Sequence, residues 1–216
     1  MLSTSQPLPS ELGGKPTLTQ LLTLPENIKT KTSPSNIQRL LPNTPARLQV
    51  EGFIKTIFSK YHNASITSFL PSLFAAFNPS GKPQSALGIR NASQENLYLE
   101  HYLDVAIETL IHSVTEQAVE RKEIVEIGNL ASQNSASCQA LFSHITQHLD
   151  DQNVKWITCT GTAVLRVVFK RLGIRAVTIH DADQNRLGDS QYSWGNYYDN
   201  DPKVMLINVQ ETNNHF

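Results

Sequence analysis

The stretch Lys122 to Thr178 restricts the possible folds more than any other part of the chain. In order it reads strand, helix, strand, helix, strand. Glu123–Ala131 (EIVEIGNLA) is an apolar run with β-branched Ile124, Val125 and Ile127, the pattern of a buried strand. Ser132–Ser137 is small and polar, a turn into a helix whose Cys138, Leu141, Phe142, Ile145 and Leu149 fall at helical spacing. Val154–Thr160 (VKWITCT) is a second strand. Gly161 and Thr162 turn it into a helix with Val164, Leu165, Val168, Phe169 and Leu172 on one face, stopped by Gly173 as a C-cap. Ile174–Ile179 is a third strand. Strands joined through a helix lie parallel with a right-handed crossover, and continuously apolar strands belong to sheets covered on both faces. Ligands of such units sit where strands end and the next helices begin, here Gly128–Ser137 and Cys159–Thr162. Free N–H groups at a helix start suit an anion.

The flanks complete a mixed α/β pattern. Val50, Phe53, Ile54, Ile57, Phe58 and Tyr61 mark one face of a helix over Arg47–His62. Phe69–Asn78 and Pro83–Asn91 flank a turn of Asn, Pro, Ser and Gly, so they predict a β-hairpin. Leu97–Leu103 reads either as a short strand or as the approach to a helix over Val105–Val119. A polar loop, His180–Ser193, and the aromatic Trp194–Asp199 lead to a last strand, Val204–Val209. The sheet is expected to be antiparallel at its start, parallel in the middle and closed by an antiparallel pair. Residues 1–46 carry prolines at 7, 9, 16, 25, 34, 42 and 45 and read as an extended arm with at most a helical turn at Thr17–Leu24 or Asn36–Leu41. The domain is expected over 47–210, with residues 211–216 a disordered tail.

A net charge of −1 on 216 residues, with Lys and Arg scattered, gives no electrostatic case for nucleic acid or an anionic membrane. No apolar run approaches the ~20 residues of a transmembrane helix, and the N-terminus lacks the pattern of a secretory signal. The two cysteines, Cys138 and Cys159, read as reduced, packed thiols of a cytoplasmic protein. The absence of Gly-x-Ser-x-Gly, Gly-x-x-x-x-Gly-Lys and Cys-x-x-Cys argues against a serine hydrolase elbow, a P-loop and a zinc ribbon.

Four blocks, LYLEHYLDVAIE, EIVEIGNLAS, TGTAVLRVVFKRLG and WGNYYDNDPKVM, resemble the bacterial thermostable hemolysin family over about Arg47 to Val209. The resemblance implies an N-acetyltransferase-like (GNAT-like) fold, with a centrally splayed sheet and flanking helices, akin to acyl-homoserine-lactone and N-acyl amino acid synthases. It implies transfer of an acyl group from a pantetheine thioester, on an acyl carrier protein or coenzyme A, to a small amine, with no permanently bound cofactor. Typical N-acetyltransferases wrap the coenzyme pyrophosphate with a glycine-bearing loop. Here that loop is Ser132-Gln133-Asn134-Ser135-Ala136-Ser137, without glycine, so a tight anion nest is missing and a carrier-protein donor fits better.

An amine acyltransferase needs a slot for the thioester, N–H groups that polarise its carbonyl and a proton acceptor for the amine. The slot falls between Glu123–Ala131 and Val154–Thr160, with Gly128, Leu130, Ala131, Ser137, Cys138, Thr160, Gly161 and Thr162 as donor-binding candidates. Gly128 either admits a ligand close to the backbone or marks a bulge, and Asn129 either contacts substrate or caps a turn. Glu126 within an apolar strand is a candidate general base, or else one half of an ion pair. Glu100 is the second carboxylate of interest, against a plain surface cluster with His101 and Asp104. Tyr198, beside Tyr197, would protonate the leaving thiolate, or simply pack. Cys138 at a helix start is a less favoured nucleophile, and His144 and His148 lack a third metal ligand. A deep apolar tunnel running from the strand splay, lined by Phe69–Phe77 and the helix Val164–Leu172, is expected of an enzyme. A cytolysin and a non-catalytic acyl-binding module are the competing readings.

Overall fold

A computed structural model describes residues 36–216. In chain order its elements are β1 (Asn36–Leu40), α1 (Pro45–His62), β2 (Ser72–Phe77), β3 (Pro83–Asn91), a 3-10 turn (Tyr98–Tyr102), α2 (Ile107–Thr115), β4 (Ile124–Ser132), α3 (Ser135–Asp150), β5 (Trp156–Gly161), α4 (Ala163–Arg171), β6 (Ala176–Asp181), a 3-10 segment (Gln184–Trp194), β7 (Lys203–Asn208) and α5 (Val209–Asn213). One sheet runs β1-β2-β3-β4-β5-β7-β6. The β4–β5 pair is parallel and every other pair antiparallel. The mixed sheet with its flanking helices is the expected fold class. The third strand of the central unit, β6, does not sit beside β5, because β7 is inserted between them.

Local chemistry sets the element ends. Thr44 caps α1, its hydroxyl accepting from the Arg47 N–H at 3.3 Å, with Pro45 in the first turn and Asn63 closing the helix at φ 51°. The hairpin turn is held by Asn78, whose side-chain oxygen accepts from the N–H groups of Ser80 and Lys82. Of the two readings of Leu97–Leu103, the structure takes the approach to a helix: Tyr98–Tyr102 is a 3-10 turn before α2. Two expectations need correction. Asn36–Leu40, placed in the proline-rich arm, is an edge strand paired with β2; the rest of the expected arm, with Thr17–Leu24, lies outside the described residues. The tail expected to be unstructured from Gln210 contains α5, which Asn208 caps and whose Asn213 bonds to Gln147 and Asp150 of α3.

Alternation along the central strands divides the core between the two faces. Val125, Ile127, Ile157, Cys159, Met205 and Ile207 face α3 and α4, where Leu141, Phe142, Ile145 and Phe169 are buried. Ile124, Trp156, Val204 and Leu206 face the 3-10 turn and α2. Farther along that second face, Leu73, Ala75, Ala86 and Ala131 pack under Val50, Ile54 and Phe58 of α1. Coverage on both sides explains why these strands read as unbroken apolar runs.

Candidate functional site

The sheet opens at its centre. Ladder pairs join Ile124 to Trp156, Val125 to Ile157, Glu126 to Thr158 and Ile127 to Cys159, and then stop. β4 continues to Ser132 with a partner on its β3 side alone, while β5 turns to β7. The cause is a bulge: Ala86 faces Ala131 but Gly88 faces Gly128, so β4 spends one extra residue against β3. Asn129 absorbs it at φ 52°, a left-handed conformation that asparagine tolerates better than most residues. Beyond Ile127, the β4 edge that would meet β5 has no ladder partner.

Glu126 projects on the face of the 3-10 turn and is 4% exposed. Its carboxylate accepts from the N–H of Tyr98 at 2.7 Å and of Leu99 at 3.0 Å. Its cross-strand partner Arg90 stands off at 3.9 Å. Burial pushes this carboxyl up to about 7, against the opposing pull of the two N–H groups and Arg90. Half-ionised near neutrality, the group can both take and return a proton.

Glu100 is spoken for. It accepts from the N–H of Leu97 (2.8 Å) and Ile107 (3.2 Å) and from both terminal nitrogens of Arg121 at 2.8 and 3.0 Å. Burial pushes its pKa up, but the Arg121 hydrogen bond and the two N–H groups outweigh that and hold it below the usual value. The carboxylate therefore joins the 3-10 turn to α2, with both oxygens bonded. Asn129 is engaged more lightly: its Oδ1 accepts from the Leu70 N–H at 2.8 Å and its Nδ2 donates to the Ser68 carbonyl at 3.3 Å.

The donor-side candidates divide. Leu130 packs partly buried beneath α3, and Ala131 turns to the α1 face. Asn134 caps α3, accepting from the Ser137 N–H at 2.8 Å, and the hydroxyls of Ser132 and Ser137 both donate to the Asn134 carbonyl. Of the N–H groups at this helix start, Asn134 caps that of Ser137. Cys138 and Cys159 are buried and pushed up to about 12, which disarms both as nucleophiles. His148 packs on Phe74 and contacts Gln152, and no group of three metal-binding side chains occurs among the described residues. Gly161 makes room for Leu165 and Met205, where a Cβ would come within 2.6 Å of each, so its role is packing. Thr162 occupies the cap position of α4 without a side-chain bond. Thr160 lies one residue past the last ladder pair, and its hydroxyl is buried without a partner among the described residues, as expected of a group awaiting a ligand.

Aromatic side chains wall the Glu126 side. Tyr198 and Tyr102 share a hydrogen bond of 2.5 Å between their hydroxyls, Trp194 Nε1 donates to the Tyr98 hydroxyl, and Tyr197 donates to the Thr160 carbonyl at 3.1 Å. Burial pushes Tyr198 and Tyr197 upward, so both remain protonated donors. The structure thus brings Glu126, Gly128, Thr160 and the tyrosines to one end of the β4–β5 pair, while Glu100 is paired with Arg121, Cys138 is in the core, and Gly161 packs against Leu165 and Met205. A surface hollow of about 410 Å³ bearing Arg166, Lys170 and Arg175 lies along α4 instead and contains no acid or nucleophile. Leu70, within the segment Phe69–Phe77 expected to line a tunnel but not singled out there, lies over Gly88 and Gly128. The signal for its position was Gly88, a second strand glycine whose register with Gly128 appears only once β3 and β4 are paired.

No curated protein matches the sequence. Among solved structures, FeeM, an N-acyl amino acid synthase from uncultured soil microbes, superimposes with a TM-score of 0.55 at 15% identity, over 81% of this chain and 92% of its own. The AHL synthase LasI gives 0.53 at 10% identity (81% and 91%), and TofI gives 0.54 at 10% (80% and 90%). At these identities the likeness is one of fold, the acyltransferase-like architecture with its parted central strands. The model of the family described as thermostable hemolysin matches residues 40–213, so the chain belongs to the thermostable hemolysin family.

Proposed function

We propose that the chain transfers an acyl group from a pantetheine thioester to a small primary amine. The carrying observation is the β4–β5 ladder ending at Ile127 and Cys159 beside a buried carboxylate that titrates near neutrality. The thioester arm lies in the gap, its carbonyl polarised by the unpaired backbone edge of β4. The amine nitrogen attacks that carbonyl, the C–N bond forms and the C–S bond breaks. The nitrogen's proton passes to Glu126 through a water, the Tyr198 phenol supplies the proton that leaves with the thiolate, and the proton held on Glu126 then restores the phenol. The glycine-free loop Ser132–Ser137 before α3 favours a carrier-protein donor, whose pantetheine arm lacks the pyrophosphate that a glycine nest would otherwise wrap.

The family's description names haemolysis, and this is compatible with the same chemistry: an acylated polar amine is a surfactant that disrupts bilayers. Among the described residues no helix is long and apolar enough to cross a membrane. The deciding experiment incubates pure protein with acyl-carrier-protein and acyl-coenzyme A donors and a panel of amines, and reads N-acyl products by mass spectrometry. Product formation is expected. No product from any pair, together with lysis of washed erythrocytes by the protein alone, would replace the enzyme reading with a direct cytolysin.

A further inference from the structure

Gly88 and Gly128 are cross-strand partners on β3 and β4, so the sheet surface lacks two neighbouring side chains at the mouth of the gap. Leu70 fills that hole. A Cβ added to Gly88 would lie 2.7 Å from Leu70 Cβ, and one added to Gly128 would lie 2.8 Å from Leu70 Cδ1. Leu70 belongs to no strand; it comes from the segment crossing from α1 to β2 and is 6% exposed.

Several bonds fix it there. Asn129 accepts from the Leu70 N–H and donates to the Ser68 carbonyl. Arg47, itself buried on α1, donates to the carbonyls of Leu70 at 3.0 Å and Pro71 at 2.9 Å. One residue, Asn129, therefore both makes the bulge that parts the strands and holds the side chain that covers the parting. The other face of the gap is filled by core residues, with Cys138, Leu141 and Met205 all buried. An acyl group that enters beyond Ile127 and turns to the Glu126 face runs toward Gly128, over which Leu70 lies.

We propose that Leu70 sets the size of the acyl group the slot accepts, an assignment that rests on the acyl-transfer reading above. Shortening the side chain extends the slot across the paired glycines; a Cβ on Gly128 fills it from beneath. The test uses the full chain with a series of acyl donors of increasing length and compares kcat/KM along the series. Leu70→Ala is expected to move the optimum toward chains longer by about two methylenes and to raise the long-to-short ratio about tenfold or more. Gly128→Ala is expected to move it the other way. Should Leu70→Ala fold poorly, Leu70→Met keeps the volume on a flexible stem and is expected to broaden the profile toward longer chains. A purely structural Leu70 would scale every chain length equally, and parallel profiles for wild type and the Leu70 variants overturn the assignment while leaving acyl transfer standing. Wild-type protein that makes no product from any donor removes both.

Discussion

Glu126 and Glu100 hold the same 3-10 turn from two sides, yet they end in opposite electrostatic states. Glu126 takes the N–H groups of Tyr98 and Leu99, and Glu100 takes that of Leu97. The difference is depth of burial, greater at Glu126, together with the distance to an arginine. Arg121 reaches Glu100 at 2.8 Å, while Arg90 stays 3.9 Å from Glu126. A close, forked guanidinium outweighs burial at Glu100, and at Glu126 burial wins. The pH consequences are therefore opposite in sign. Glu126, raised from 4.5 to about 7, stabilises the fold fully below 4.5 and loses that contribution as pH rises through about 7. Glu100, lowered, stabilises above its ordinary value and loses that contribution as pH falls through its depressed one. Two carboxylates bonded to one turn teach that burial raises an acid where no close counter-ion opposes it.

The largest expected break in this contrast is Glu126→Gln. It should lower kcat by about 10²–10⁴-fold and abolish the limb of the pH–rate profile that rises toward about 7. An unchanged limb would hand the proton to another group. Next in size, Glu100→Gln should cost about 2 kcal/mol of stability by stranding Arg121, whose other carboxylate partner is Glu108. Thermal melting reads this, and the pH–rate limb should stay in place below the melting range. The smallest effect sharpens the comparison. Arg90→Leu removes the distant positive charge and should move the activity limb to higher pH by less than about one unit. A shift to lower pH would mean that Arg90 does not act on Glu126 through its charge.

Much of this was legible from residues alone, and the gaps have physical causes. The β4–α3–β5–α4 unit declared itself because its apolar spacing is local. Strand β1 did not: Asn36–Leu40 lies among prolines and is a strand because β2, over thirty residues later, offers it an edge. Helix α5 is short and polar, and its cap at Asn208 is easily taken for the end of a strand. At the site, Glu126 stood out as an acid in an apolar run. The structural duty of Glu100 required knowing that Arg121, twenty-one residues away, would fold beside it. Leu70 was invisible for a similar reason, because a glycine pair becomes a hole only when two strands are set in register.

The placing of β7 between β5 and β6 also bears on how the chain is made. A ribosome delivers β5, α4 and β6 before the strand that joins them exists. Until residues 203–208 emerge, both earlier strands have raw edges facing an empty lane, open to pairing with a neighbouring nascent chain. The half of the sheet beyond the parted β4–β5 strands is thus the last to be secured.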